Sequence, residues 1–81
     1  LKELKRLIRI HRAYQHANKG DYYMELDQID NALTEYTKAS KYYPENPELP
    51  YWSAVALVNG GRINEALPIF KSVSKSNPNL K

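Results

Sequence analysis

The sequence predicts an all-α fold of about four helices, in which two helix hairpins repeat one structural unit. The phrase IDNALTEY at residues 29–36 returns as INEALPIF at residues 63–70, and a proline follows each copy at the same distance. Apolar residues also recur at intervals of three and four, which is the spacing of one face of a helix. Repetition and helical periodicity together indicate a helical repeat protein.

The two copies stand at a fixed distance of 34 residues. Five positions keep this register: Ile29 with Ile63, Ala32 with Ala66, Leu33 with Leu67, Tyr36 with Phe70, and Pro44 with Pro78. A period of roughly 34 residues is typical of stacked helix-turn-helix units. We therefore expect one domain over residues 1–81, with unit one at about 13–46, unit two at about 47–80 and residues 1–12 as a leading helix. The alanines and aromatic residues in register are expected to be buried.

The first hairpin is predicted from two helical segments. Residues 2–26 have the periodicity of one long helix, or of two helices run together, and Gly20 interrupts it. A glycine inside a helix costs about 1 kcal/mol relative to alanine, so we expect Gly20 to allow a close approach of two helices. The second helix is predicted at about residues 28–42, with Asp27 as its N-cap.

The second hairpin has clearer boundaries. The third helix is predicted to begin with Asn46 as N-cap and Pro47 in the first turn, where a missing N–H costs nothing. Gly60 and Gly61 follow this helix and are expected to supply the positive φ angles of a tight turn. The fourth helix is predicted at about residues 63–76.

Composition limits the class of protein. A hydrophobic content of 42% and a charged content of 26% are typical of a folded globular domain. No apolar run approaches the roughly 18–20 residues of a membrane span, so no transmembrane segment is expected. Without cysteine, the chain cannot form disulfides or thiolate zinc sites. Because the sequence lacks a starting methionine, we expect it to be a fragment of a longer protein.

The chain has no pattern of residues that indicates catalysis. His11 and His16 are five residues apart and fall on different helix faces, so they do not form a paired metal site. Asp27 and Asp30 are better explained as helix-start residues than as an acid/base pair. We therefore expect a non-enzymatic protein without metal or cofactor.

Positive charge is concentrated in the first helix. Residues 1–20 hold six basic residues and one acid, whereas residues 21–81 hold six basic and eight acidic residues. Lys2, Lys5, Arg9, Arg12 and His16 share one face, which could meet an anion, a nucleic acid or a membrane surface. A solvated outer face is the favoured interpretation, and no nucleic acid is expected because no nucleic-acid motif is present.

The register resembles that of tetratricopeptide repeats. That family places small residues at the eighth position of each unit, large ones at the eleventh, alanine at the twentieth, an aromatic at the twenty-fourth and proline near the end. The matching residues here are Gly20 and Ala54, Tyr23 and Leu57, Ala32 and Ala66, Tyr36 and Phe70, and Pro44 and Pro78. The resemblance implies two hairpins that form a fragment of a right-handed α–α superhelix. The fourth and seventh positions depart from the pattern, with His16 and Lys19, then Pro50 and Ser53.

A second resemblance covers nearly the whole chain and rests on the segments LKRLIRIHRAYQHANKGDYY, PENPEL and NGGRINEALP. These segments resemble the small C-terminal domain of a bacterial family of unknown function, whose main domain is similar to N-terminal-nucleophile hydrolases. The resemblance implies a peptidoglycan-binding accessory domain in a periplasmic or secreted protein.

The tetratricopeptide resemblance places a ligand groove on the first helix of each unit. Trp52 is added to this groove because it belongs to a cluster of aromatic residues around the turn between the two units. The candidate binding residues are then Tyr14, Asp21, Glu25, Glu48, Tyr51, Trp52, Val55 and Asn59. An aromatic and acidic groove suits a basic partner peptide, a neighbouring domain or a cell-wall glycan. A weak homodimer is an alternative. The aromatic cluster of Tyr42, Tyr43, Tyr51 and Trp52 is either packed in the turn, which we favour, or part of the binding surface.

Overall fold

The four predicted helices are present in a computed structural model, which describes residues 2–76. They are α1 (Lys2–Glu25), α2 (Ile29–Tyr42), α3 (Glu48–Asn59) and α4 (Ile63–Ser76). Each helix packs against the next one along the chain, so α1 with α2 and α3 with α4 form two hairpins that meet through α2 and α3. The predicted all-α fold of two hairpins is therefore confirmed. None of the helices in this part of the chain is long and apolar enough to cross a membrane.

Helix α1 is continuous, so residues 2–12 form its first half and not a separate helix. The apolar side chains of this half, Leu4, Leu7 and Ile8, are about half exposed. Helix α2 does not cover them, because it ends beside Arg9, whose guanidinium donates a hydrogen bond of 3.2 Å to the Tyr42 carbonyl. The first two turns of α1 therefore extend beyond the end of α2.

The prediction of Asp27 as the N-cap of α2 is wrong. Asp27 lies in the left-handed region at φ 58°, and the Gln28 N–H donates to the carbonyl of Tyr23. This is the hydrogen-bond pattern of a Schellman motif, in which the left-handed residue ends the preceding helix. Gly61 ends α3 in the same way, with φ 78°, and it lies one repeat length of 34 residues after Asp27. Aspartate can occupy this position because it tolerates left-handed angles better than most residues.

Asn46 acts as a cap of α3, as predicted, since its Oδ1 accepts a hydrogen bond of 3.0 Å from the Glu48 N–H. Of the two glycines that were predicted to have positive φ angles, only Gly61 has one. Gly60 has φ −85° and serves a different purpose. A Cβ at Gly60 would lie 3.1 Å from the side chain of Ile29, so this glycine allows the end of α3 to approach the start of α2.

The core consists mainly of alanines, which lets the helices approach closely. Ala32, Ala66 and Tyr36 are buried as predicted, and Tyr36 is the largest side chain that is almost completely covered. The expectation for Phe70 is wrong, since its ring is only partly buried. It lies on α4, the last described helix, and packs edge-on against Tyr51 at a centroid distance of 5.5 Å.

Candidate binding site

Tyr14 is held where α1 meets the segment that joins α2 to α3. Its side chain is 44% exposed, and its ring packs edge-on against Tyr43 at 6.4 Å. Its hydroxyl accepts a hydrogen bond of 3.1 Å from the Asn46 amide, the same residue that caps α3 at Glu48. Two predicted site residues, Tyr14 and Glu48, are thus brought close together through Asn46.

Asp21 is engaged in the fold. The Tyr36 hydroxyl donates a hydrogen bond of 2.5 Å to the Asp21 carboxylate. Burial, and then the bond to Asp21, raises the pKa of Tyr36, so this hydroxyl stays protonated as a donor. Glu25, by contrast, is exposed at the end of α1. A role for Asp21 as a ligand contact stays a prediction, and its structural role is to orient Tyr36.

The five candidates on α3 share one side of that helix. Their spacing follows a single face, opposite the buried Ser53 and Leu57: Glu48, Tyr51, Trp52, Val55 and Asn59. Tyr51 and Trp52 are 40% and 45% exposed, and their rings meet edge-on at 5.9 Å. Tyr51 also contacts Phe70 of α4, so its ring is partly packed and partly accessible.

The aromatic cluster predicted around the turn divides into two parts. Tyr42 and Tyr43 are half-buried and pack against α1, where Tyr42 stacks on the His16 ring at 5.5 Å with an interplanar angle of 7°. Tyr51 and Trp52 remain accessible on α3. The favoured interpretation of turn packing therefore applies to the first pair, and the second pair belongs to the candidate surface.

The basic face of α1 is not simply a solvated face. Arg9 reaches the Tyr42 carbonyl and also donates to the Glu45 carboxylate at 3.3 Å, a bond that lowers the pKa of Glu45. The His16 Nδ1 lies 2.8 Å from a carboxylate oxygen of Glu35. These two members of the face pack against α2, whereas Lys5 and Arg12 are exposed.

Sequence patterns missed two ionic contacts between distant segments. Glu35 is only 9% exposed and bridges His16 to Lys38, whose Nζ lies 3.5 Å from the second carboxylate oxygen. Arg62 joins the two hairpins by donating to Asp30 at 2.6 Å and to Glu65. Glu35 is 19 residues from His16, and Arg62 is 32 residues from Asp30, so no local spacing could have indicated these two pairings.

We expect Glu35→Gln to lower the free energy of unfolding by about 1–2 kcal/mol at about pH 7, because it removes a charged acceptor from His16 and Lys38. The bond from His16, together with the charge of Lys38, lowers the pKa of Glu35 from 4.5. The Glu35 carboxylate therefore stabilises the fold fully above about pH 4.5. This stabilisation is lost as the pH falls through the lowered pKa of Glu35 in the folded protein. Urea unfolding measures the difference in free energy of unfolding between wild type and Glu35→Gln. This difference should be smaller at about pH 3.5 than at about pH 7.

Glu3→Gln is the matched control for this measurement, since Glu3 lies on the exposed side of α1 and its ion pair among residues 2–76 is with Arg6 at 3.5 Å. It should change stability little at either pH. A difference between wild type and Glu35→Gln that stays constant with pH would contradict the assignment.

The comparison with protein families decides the classification. The sequence model of the tetratricopeptide repeat matches residues 23–80, well over half of the chain. The chain belongs to the tetratricopeptide repeat family. The matched region includes α2, α3 and α4, which carry both copies of the repeated phrase. Neither the comparison with curated proteins nor the comparison with solved structures finds a match. The resemblance to a peptidoglycan-binding domain therefore has no support from these comparisons.

Tetratricopeptide repeats are typically interaction modules, and the described part of this repeat fits that class. Within residues 2–76, no group of three side chains could hold a metal ion. The candidate surface instead offers exposed aromatic rings and carboxylates, which suit non-covalent recognition of a peptide or protein.

Proposed function

We propose that this tetratricopeptide repeat is a non-catalytic interaction module that holds a basic segment of a partner protein on its groove face. The groove face consists of Tyr14, Glu25, Glu48, Tyr51, Trp52, Val55 and Asn59. The observation that carries the proposal is the presence of three large aromatic side chains that are 40–45% exposed and yet held by neighbouring groups.

Rings of this kind are effective anchors for a peptide. Tyr14 is fixed by Tyr43 and Asn46, and Tyr51 is fixed by Phe70 and Trp52. Because neighbouring groups already restrict these rings, binding costs less side-chain entropy than it would for flexible side chains. Tyrosine and tryptophan are also the residues that most often dominate binding energy at interfaces.

The charge of the groove face favours a basic partner. Glu25 and Glu48 are exposed, and neither carboxylate has a basic partner within the part of the chain that the structure describes. A segment that combines lysines with apolar side chains would place its charges near these carboxylates and its apolar groups on the rings.

We expect Tyr51→Ala to weaken binding of such a segment by about 1–2 kcal/mol, because it removes a central aromatic contact. Short peptides that alternate lysine with leucine serve as probes, and the fluorescence of Trp52, the single tryptophan, reports their binding. Tyr22→Ala is the matched control, since Tyr22 is an exposed tyrosine of α1 outside the groove face. Equal losses in both variants, or an equal loss in Tyr51→Ala for peptides that alternate glutamate with leucine, would count against the proposal.

A cell-wall glycan is the second candidate, favoured by the exposed adjacent rings of Tyr51 and Trp52, which can stack on a sugar. Salt distinguishes the two ligands. Binding of a basic peptide should weaken as salt rises, whereas stacking on a muropeptide or chitin oligomer should hardly change. Binding of the glycan alone, unaffected by salt and lost in Tyr51→Ala, would favour this second candidate.

A further inference from the structure

Two shallow clefts meet at Tyr42, on a side of α1 that Tyr14 does not share. One is lined by His16, Lys38, Lys41 and Tyr42. The other lies between the N-terminal half of α1 and the same tyrosine, and is lined by Lys5, Ile8, Arg9, Arg12 and Tyr42. We call the combined surface the basic cleft, since five lysine and arginine side chains from two helices surround one ring.

The positive charge of the basic cleft is only partly neutralised. Glu45 contacts Arg9, and Glu35 contacts Lys38 and His16. Lys5, Arg12 and Lys41 have no carboxylate oxygen within 4.0 Å among residues 2–76. Three positive side chains are therefore available to an anionic ligand, on both sides of Tyr42.

The floor of the basic cleft is held in place by the fold. The Tyr42 ring lies flat on His16, and His16 is in turn bound to the buried Glu35. Arg9 ties the end of α2 to α1 through the Tyr42 carbonyl. A ligand would therefore meet a preformed recess with mobile lysines at its rim, which keeps the cost of ordering the floor low.

We propose that the basic cleft binds an acidic segment of a partner protein, through Lys5 and Arg12 on one side of Tyr42 and Lys41 on the other. Glu35 and Glu45 interrupt the positive surface, which suits separate carboxylates better than the continuous phosphates of a nucleic acid. His16 lies parallel to the Tyr42 ring and overlaps one of its faces in part, which leaves less of that face for stacking on a base. The recess between two helices also fits an extended peptide better than a flat lipid surface.

The inference goes beyond the groove face, which has the opposite charge and requires a basic partner. Ile8 supplies an exposed apolar side chain at the edge of the basic cleft. An acidic segment with an apolar residue beside its carboxylates would therefore match both the charge and this contact.

The test is a titration of the 81-residue chain with a fluorescently labelled peptide that alternates glutamate with leucine, next to its glutamine counterpart. We expect the double variant Arg12→Glu, Lys41→Glu to weaken binding of the glutamate peptide by about tenfold or more, since two exposed ion pairs become repulsions. Lys71→Glu, Lys75→Glu is the matched control. It changes net charge equally on α4, where both lysines are exposed, and should change the affinity less than about twofold.

Each alternative gives a distinct result. Tighter binding of single-stranded DNA than of the glutamate peptide, lost in the same double variant, would overturn the proposal in favour of nucleic acid. Tighter binding to phosphatidylserine vesicles, lost likewise, would overturn it in favour of a membrane surface. The proposal would also be overturned if the glutamine peptide bound as tightly as the glutamate peptide, or if the α4 control variant lost as much affinity as the double variant. A signal that arises only because the peptide dissociates a dimer of this chain would overturn it as well. Tyr51→Ala should leave this titration unchanged, so the result is independent of the groove face.

Discussion

Gly20→Ala is expected to lower the free energy of unfolding by about 1–3 kcal/mol, although alanine is the better helix former. The reason is the contact between α1 and α2. A Cβ at position 20 would lie 2.6 Å from Cε1 of Tyr36 and 2.8 Å from Cδ1 and Cζ. Carbon atoms in ordinary contact are about 3.5–4.0 Å apart, so the buried ring must move or α1 must separate from α2.

Urea unfolding, followed by circular dichroism, measures this loss. Asn18→Ala is the control on the same helix, because Asn18 is exposed and the change tests helix propensity without a packing conflict. The control should be neutral or slightly stabilising, and Gly20→Leu should lose more than Gly20→Ala. A stabilised Gly20→Ala variant would show that the two helices are not in tight contact at this point.

The sequence made Gly20 predictable because the repeat register assigns it a role. Its position in unit one matches Ala54 in unit two, and both lie where two helices approach closely. The repeat made the four helices predictable for the same reason: two copies of one pattern give independent evidence for each element. Periodicity works well here because close helix contacts at fixed spacing require small side chains.

The boundary at Asp27 shows what periodicity cannot decide. Aspartate before an apolar helix is typical of an N-cap, and the same residue can also end the preceding helix in the left-handed region. Comparison of the repeats contained the missing signal, since Gly61 stands one repeat length after Asp27. A glycine that ends a helix in one unit indicates the same left-handed turn in the other.

The candidate surfaces were only partly predictable. The α3 face followed from the tetratricopeptide resemblance. Tyr51 and Trp52 are exposed there, whereas packing in the turn was the favoured expectation for them. The basic cleft did not follow, because its two halves come from α1 and from the end of α2. Single-helix patterns identified Lys5 and Arg12 but could not place Lys41 beside them. Contacts between elements depend on how the helices pack, and that information is absent from the spacing along one helix.

Tyr36→Ala is expected to have the largest effect of any substitution considered, a loss of about 3–5 kcal/mol. The whole stability of a domain of this class is about 5–15 kcal/mol, so the variant should unfold at much lower urea concentration. Tyr36 shares one buried cluster with Ala13, Ala17 and Ala32, whose methyl side chains are too short to fill the cavity. Tyr36→Phe is the control that keeps the ring. It should lose only about 1–2 kcal/mol, because it removes the hydrogen bond to Asp21.

In a protein that already carries Tyr36→Ala, Gly20→Ala is expected to raise the free energy of unfolding, whereas in the wild type it should lower it. In the Tyr36→Ala background the ring atoms that conflict with a Cβ at position 20 are gone, and only the helix propensity of alanine remains. Gly20→Ala should then stabilise the protein by up to about 1 kcal/mol, which gives a coupling of about 1–4 kcal/mol in a double-mutant cycle. Trimethylamine N-oxide can keep the Tyr36→Ala proteins folded for the comparison, since it favours compact states. A Gly20→Ala change that costs the same in both backgrounds would show that the glycine is needed for its backbone and not for its contact with the tyrosine.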